Sequence, residues 1–301
     1  MGRLSKFLAL FLIASAFAAD VDHDTDGDGL DDVLEQKLLE QFAPRFHVAT
    51  GDCDGVPSEF VAGLPEPKWK ARNGTIYGQV SPAPGGVEIH YYHLWAQDCG
   101  GSATSHALDA ESVAVRVIRA EDGWQATHWF ASAHEDTLCD VSNAVAKSGD
   151  SGVDVWISRD KHASFLSAEL CARSGCGKDR CDLSEVLAVR KIVNLGEPDA
   201  WMNGAEWAGS SAWTLRHKML ANFDSALLAR LHSEPAIVSS RIAPRGAHTA
   251  IKVAASTYAG LETANQSTAN GLATATGATS RALTKSTDVT RRALRRAFQW
   301  K

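Results

Sequence analysis

Past residue 18 the chain has no apolar run long enough for a transmembrane helix, which excludes a polytopic helical membrane protein. It lacks any excess of basic charge. Its 30 Lys and Arg stand against 36 Asp and Glu, a formal net charge of −6, whereas a nucleic-acid binder normally carries a basic footprint. No Gly-x-Ser-x-Gly elbow, phosphate-cradling loop or dinucleotide fingerprint occurs, so neither nucleic acid nor nucleotide is expected as a partner. No nucleophile can be paired with a base, which favours a protein that is not an enzyme. Long helical periodicity is scarce between residues 45 and 220. What is present is an ordinary globular composition, 45% hydrophobic and 22% charged, with both ends departing from it.

Arg3 and Lys6 precede the apolar run 7–17, and Ala16-Phe17-Ala18 offers small residues where a signal peptidase cuts. Residues 1–18 are therefore expected to be a cleaved signal and the protein to be secreted. The six remaining cysteines, Cys53, Cys99, Cys139, Cys171, Cys176 and Cys181, are an even set in an exported chain and predict disulfides, with the pairing open. Zinc is the poorer reading, because the spacing of Cys171, Cys176 and Cys181 is loose and a fourth ligand is missing.

Residues 20–35 hold eight acids and no Lys or Arg. With Asp24 at position 1, Asp26 falls at 3, Asp28 at 5, Gly29 at 6, Leu30 at 7, Asp32 at 9 and Glu35 at 12. These are the oxygen ligands, turn glycine and closing glutamate of an EF-hand-type Ca²⁺ loop. No helix is predictable before it, so the loop resembles the thrombospondin type-3 or dockerin kind. Helical periodicity follows over Val33–Phe42 and ends before Pro44, giving a loop-and-helix unit over 19–43.

From 44 to 224 the pattern is of short alternating runs: Val87–Trp95, Ser112–Ile118, Trp124–Phe130, Val153–Ile157 and Val189–Val193. The expected fold is mainly β, a β-sandwich with disulfide-pinned loops. Residues 225–301 form a different region. From Thr257 an eleven-residue repeat aligns Leu261, Leu272, Leu283 and Leu294, a period that keeps one face of a long amphipathic helix. That tail packs on its own domain, self-associates, or lies on a membrane surface with Arg291–Lys301 as a basic aromatic anchor.

Asp109, Glu111, Val113, Val115 and Val117 alternate and so share one strand face. Carboxylates at the end of a core-facing row need a compensating charge. His106 precedes Asp109 by three residues, and His162 follows another strand. Asp, Glu and His at the open end of a sandwich suit one hard divalent cation, Mg²⁺, Ca²⁺ or Mn²⁺. His90 and His93 lie on opposite faces of one strand and cannot ligate together.

The spacing Asp98-x7-His106-x2-Asp109-x-Glu111 resembles the metal-site motif of the necrosis- and ethylene-inducing-peptide-like cytolysins. There an Asp precedes the heptapeptide Gly-His-Arg-His-Asp-Trp-Glu at the same distance. His162, in Lys-His-Ala-Ser-Phe, matches that family's later histidine. Ser105, Leu108 and Ala110 replace the first Gly, second His and Trp, so the ligand positions match and the framing ones do not. The resemblance covers about 40–220. It implies a secreted β-sandwich whose divalent cation is held by Asp98, His106, Asp109, Glu111 and His162. It further implies binding of a membrane or glycan, the sphingolipid head group, and damage to that membrane. The alternatives are a metal-assisted hydrolase of an ester or phosphate, with His134 or His162 handling protons, and a non-lytic calcium-binding surface protein.

Overall fold

The computed structural model describes residues 23–100, 105–135, 139–173, 179–214, 219 and 225–238. The expected signal segment, Cys176 and the repeats beyond Thr257 lie outside these residues.

Helix α1 (Asp32–Gln41) starts one residue before the predicted run. The Asp31 carboxylate caps it by accepting from the backbone N–H groups of Val33 and Leu34, and Asp32 and Glu35 place acid in its positive first turn. The strands follow as β1 (Arg45–Ala49), β2 (Ser58–Phe60), β3 (Trp69–Arg72), β4 (Thr75–Ala83), β5 (Gly86–Asp98), β6 (His106–Ala120), β7 (Gly123–Ala131), β8 (Asn143–Gly149), β9 (Asp154–Ile157) and β10 (Ser164–Phe165). After the short helix α2 (Ala168–Arg173) come β11 (Ser184–Val186), β12 (Lys191–Asn194), β13 (Gly196–Glu197), β14 (Ala200–Trp201), helix α3 (Ser225–Leu231) and β15 (Ala236–Val238).

The fold is mainly β, as expected. One sheet runs β12-β4-β5-β6-β7-β8-β15 and a second runs β10-β9-β1-β11. They share one core: Phe46, Val48, Val155 and Ile157 of the second sheet cluster with Val80, Ile89, Tyr91, Val113, Val115 and Trp129 of the first. Alternation along β5 and β6 turns one row of each into that core, which makes the pair a sandwich.

The described parts of both expected appendages, 23–43 and 225–238, enter the fold. Leu38, Leu39 and Phe42 are fully buried in the central core, so α1 is part of the sandwich. Residues 225–238 are not uniformly helical. Leu227 and Leu231 of α3 pack with Ala144 and Ile237, and β15 pairs antiparallel with β8. Three residues on a sheet edge are too few for alternation to mark. Disulfides join Cys53 to Cys99 and Cys171 to Cys181, and Cys139 is disulfide-bonded as well. Among the described residues, no helix is long and apolar enough to cross a membrane.

Candidate metal centre

Antiparallel pairing of β5 with β6 sets His93 opposite Glu111, Trp95 opposite Asp109 and Asp98 opposite His106. The register carries an apolar row outward from Tyr91 and Val113 to polar side chains at the end of the sheet. Asp98, His106 and Asp109 converge there, each offering one ligand atom, and these atoms all lie within 4.8 Å of one another. Nε2 of His106 is 3.8 Å from Oδ2 of Asp98. Burial and then the charge of Asp109 raise the pKa of Asp98. Two carboxylates that disfavour each other, with an imidazole beside them, fit a hard divalent cation.

Glu111 shares the face but not this trio. It is buried one pleat further in, where its Oε2 accepts from the Ser132 hydroxyl at 2.6 Å.

His162 reaches the site from the turn after β9, in a left-handed conformation (φ 56°) that packing must hold for a residue with a Cβ. Its ring is fully buried and lies 3.8 Å from the Trp95 ring at 7°. Nδ1 donates to Oδ2 of Asp109 at 3.0 Å and Nε2 to Oδ1 of Asp52 at 3.2 Å. Burial works against the charged ring, but the hydrogen bonds and charges of the two carboxylates outweigh it and raise the pKa to about 9. A ring that donates from both nitrogens stands behind Asp109 and fixes its orientation. Both of its nitrogens are engaged by carboxylates, so neither is left to act as a base.

Asp52 is the residue that sequence reasoning missed. Burial would raise its pKa, but His162 and the backbone N–H groups of Asp160 and Asp54 hold it below the usual range. Its signal was covalent. Asp52-Cys53 and Asp98-Cys99 are both acid–cysteine pairs, and the Cys53–Cys99 bridge draws their loops together. Asp160 ties the same corner: its carbonyl accepts from the Cys99 N–H and its carboxylate from the Cys53 N–H. Asp52, Cys53 and His162 also converge, but a cysteine in a disulfide offers no thiolate.

Two other histidines are structural. His93 accepts from Trp95 Nε1 at 2.9 Å and meets the Ser164 hydroxyl at 2.7 Å. His134 contacts both oxygens of Asp179, while the Ser158 hydroxyl donates to that carboxylate and not to the imidazole. A serine so directed is not an activated nucleophile.

A second acidic cluster lies at the N-terminus. Ligand atoms of Asp24, Asp26 and Asp28 fall within 4.8 Å of one another. Asp24 accepts from the N–H groups of Gly27, Asp28 and Gly29, and Gly29 takes φ 93°, the turn its position requires. Leu30 N–H donates to Asp28, whereas Asp32 is held by the Thr25 N–H and hydroxyl. Glu35 is fully buried, with only Oε2 paired, to Asn194 Nδ2 at 2.9 Å. Both oxygens of Asp26, Oδ2 of Asp28 and Oε1 of Glu35 are buried with no donor. Burial, reinforced by neighbouring carboxylates, raises the pKa of Asp26 to about 6 and that of Glu35 to about 8. Orphaned hard oxygens fit a cation that the chain does not itself supply.

No family model and no curated protein matches the chain. Among solved structures, it is similar to NLPPya in complex with glucosamine, at 14% identity, over 66% of this chain and 89% of that one, with a TM-score of 0.37. It is also similar to necrosis and ethylene inducing protein 2 from the causal agent of cocoa's witches' broom disease, at 16% identity, over 65% and 89%, TM-score 0.35. A third is the non-toxic HaNLP3 protein, at 16% identity, over 51% and 71%, TM-score 0.28.

Proposed function

We propose that the chain is a secreted, divalent-cation-dependent protein that binds the glycosylated head group of a membrane sphingolipid and acts as a cytolysin. The observation that carries this reading is the convergence of Asp98, His106 and Asp109 at the open end of the sandwich, with Asp109 braced from behind by His162 and Asp52. Two carboxylates and one imidazole do not fill the shell of Mg²⁺, Ca²⁺ or Mn²⁺, and such an ion would offer its remaining positions to hydroxyl or phosphate oxygens. Glu111 and His162 are the supporting residues of the set. A second ion, Ca²⁺, belongs to the N-terminal loop, held by Asp24, Asp26, Asp28 and Glu35 with the Leu30 carbonyl and Asp32 completing the pattern.

The test is binding to phosphatidylcholine vesicles with and without a glycosylated sphingolipid, with release of an entrapped dye as the second readout. Calcium is kept constant, so that the N-terminal loop stays loaded. Wild type should bind and permeabilise only the sphingolipid vesicles, and Asp109→Asn should lose at least tenfold in affinity. Equal binding by Asp109→Asn would remove the reading. Binding without dye release would leave a head-group binder in place of a cytolysin.

A further inference from the structure

The N-terminal cluster does more than close a loop on itself. It sits at the root of α1, and α1 fills the sandwich. Leu39 is buried against β4, where a Cβ at Gly78 would come within 2.2 Å of its Cδ2, and the Tyr91 hydroxyl donates to the Leu39 carbonyl at 3.0 Å. Removing the helix would empty the volume of Leu38, Leu39 and Phe42 and strand that hydroxyl.

The other side of the cluster belongs to the corner between β12 and β13, about 160 residues away in the chain. Asn194 donates to Glu35 at 2.9 Å while its Oδ1 accepts from the Gly196 N–H at 3.2 Å. Asp26 lies on the backbone of Gly196: a Cβ there would come within 3.1 Å of Asp26 Oδ2, and φ is 71°. Glu197, held by the Ser81 hydroxyl at 2.8 Å and Gln79 Nε2 at 3.3 Å, feels the charges of Asp26 and Asp28. Four carboxylate oxygens of Asp26, Asp28 and Glu35 are buried with no donor, and one of them, Asp26 Oδ2, lies against this corner. Like charges gathered in a desolvated place either take up protons, as the raised pKa values of Asp26 and Glu35 indicate, or are joined by a cation.

We propose that Ca²⁺ in the N-terminal loop is a clasp: bound by Asp24, Asp26, Asp28 and Glu35, it locks α1 into the sandwich against Asn194, Gly196 and Glu197, so that calcium governs the stability of the entire β-fold. The clasp rests on the calcium reading of the loop and goes beyond it, since a loop that bound calcium as an independent module would leave the sheets indifferent. Glu197 is the discriminating residue. It lies outside the loop, yet its charge adds to the field that attracts the ion and, without the ion, to the repulsion.

The experiment uses the full chain. Calorimetric Ca²⁺ titration, thermal unfolding with chelator or ~10 mM CaCl₂, and hydrogen exchange are compared for wild type, Glu35→Gln and Glu197→Gln. With a Kd of about 10⁻⁴–10⁻³ M, that calcium should lower the unfolding constant about ten- to hundredfold in one transition. It should also slow exchange in both α1 and residues 191–201. Glu35→Gln should lose one equivalent of Ca²⁺ and with it the stabilisation. Glu197→Gln should bind calcium roughly three- to tenfold more weakly while unfolding no earlier than wild type in chelator, because one repulsive charge is gone. Suppose Glu35→Gln loses its Ca²⁺, yet the wild-type midpoint, the exchange of 191–201 and the Glu197→Gln affinity are all unmoved. Then the clasp is wrong and the calcium loop stands. If Glu35→Gln binds as much Ca²⁺ as wild type, both are wrong.

Discussion

The two acidic clusters use the same kinds of side chain and differ in where the positive charge comes from. At the mouth, the buried carboxylates of Asp52 and Asp109 close on His162, a cation that the chain carries with it. In the N-terminal loop, Asp26, Asp28 and Glu35 present buried oxygens with no donor. Burying a carboxylate demands compensation, and among the described residues a cationic side chain supplies it at the first site and none does at the second. The Asp52–His162–Asp109 group is therefore preformed, and an ion at the mouth would not be needed to hold it together. The loop is not preformed in this sense, and under the proposed clasp an ion bound there would act on the fold. The proposed recognition site and the proposed stabilising site thus differ by one imidazole.

The largest expected effect comes from erasing that difference. His162→Ala should cost about 3–5 kcal/mol, because Asp52 and Asp109 are left buried without their cation and Trp95 loses the ring stacked on it. The variant should also acquire what the loop has, a stability that rises with divalent cation beyond the wild-type response. Urea unfolding with and without added Mg²⁺ measures both. A loss under ~1 kcal/mol, or no added metal response, would show that the imidazolium is not the compensating charge.

Next is the packing of α1 against the sheets, on which the proposed clasp depends. Gly78→Ala should cost about 1–3 kcal/mol, since the buried Leu39 has no room to retreat from a new methyl group. Weaker calcium binding should accompany the loss if helix docking and loop closure are one event. Asp98→Asn should do the reverse. It lies where burial and Asp109 already disfavour its charge, so stability should change by less than ~1 kcal/mol, while divalent binding at the mouth falls at least tenfold. Calorimetry against urea unfolding separates the two effects, and a large stability loss in Asp98→Asn would mean that the mouth, too, is structural.

The strands β5, β6, β7 and β9 were legible because each alternates over a face that is buried. Their neighbours are harder to read. In β4 the alternation is broken by Gly78, whose missing side chain makes room for Leu39, and by Pro82 near the strand's end. β1 is five residues long and is fixed by a parallel partner, β9, more than a hundred residues away. Asp98, His106 and Asp109 could be read from spacing, since one hairpin register brings them together. Asp52 could not, because only the Cys53–Cys99 bridge and the turn of His162 say which loops meet. The length of α1 was legible and its burial was not: an amphipathic helix beside an acidic loop looks like an appendage until Leu38, Leu39 and Phe42 are seen between the sheets.

A third carboxylate provides the control for the comparison, with the smallest expected effect. Glu59 on β2 accepts from Lys191 at 2.6 Å, Lys70 at 3.2 Å and Asn73 at 2.8 Å, so it too has its cations built in, but at the surface. The Lys191 hydrogen bond above all holds its pKa down to about 2 from an ordinary 4.5. A carboxyl whose folded pKa lies below its unfolded one contributes fully above pH 4.5 and loses that contribution as pH falls towards 2. Both lysines are about half exposed, so water and salt screen the pairs and the contribution should be at most ~1 kcal/mol. The urea midpoint of Glu59→Gln should therefore lie slightly below wild type at pH 6 and merge with it as pH drops through that window, with or without chelator. If chelator changes the gap, the compensation at Glu59 is not local. If the gap persists unchanged at pH 2, it owes nothing to the carboxylate's charge, and the contrast between charge carried by the chain and charge borrowed from solution loses its control.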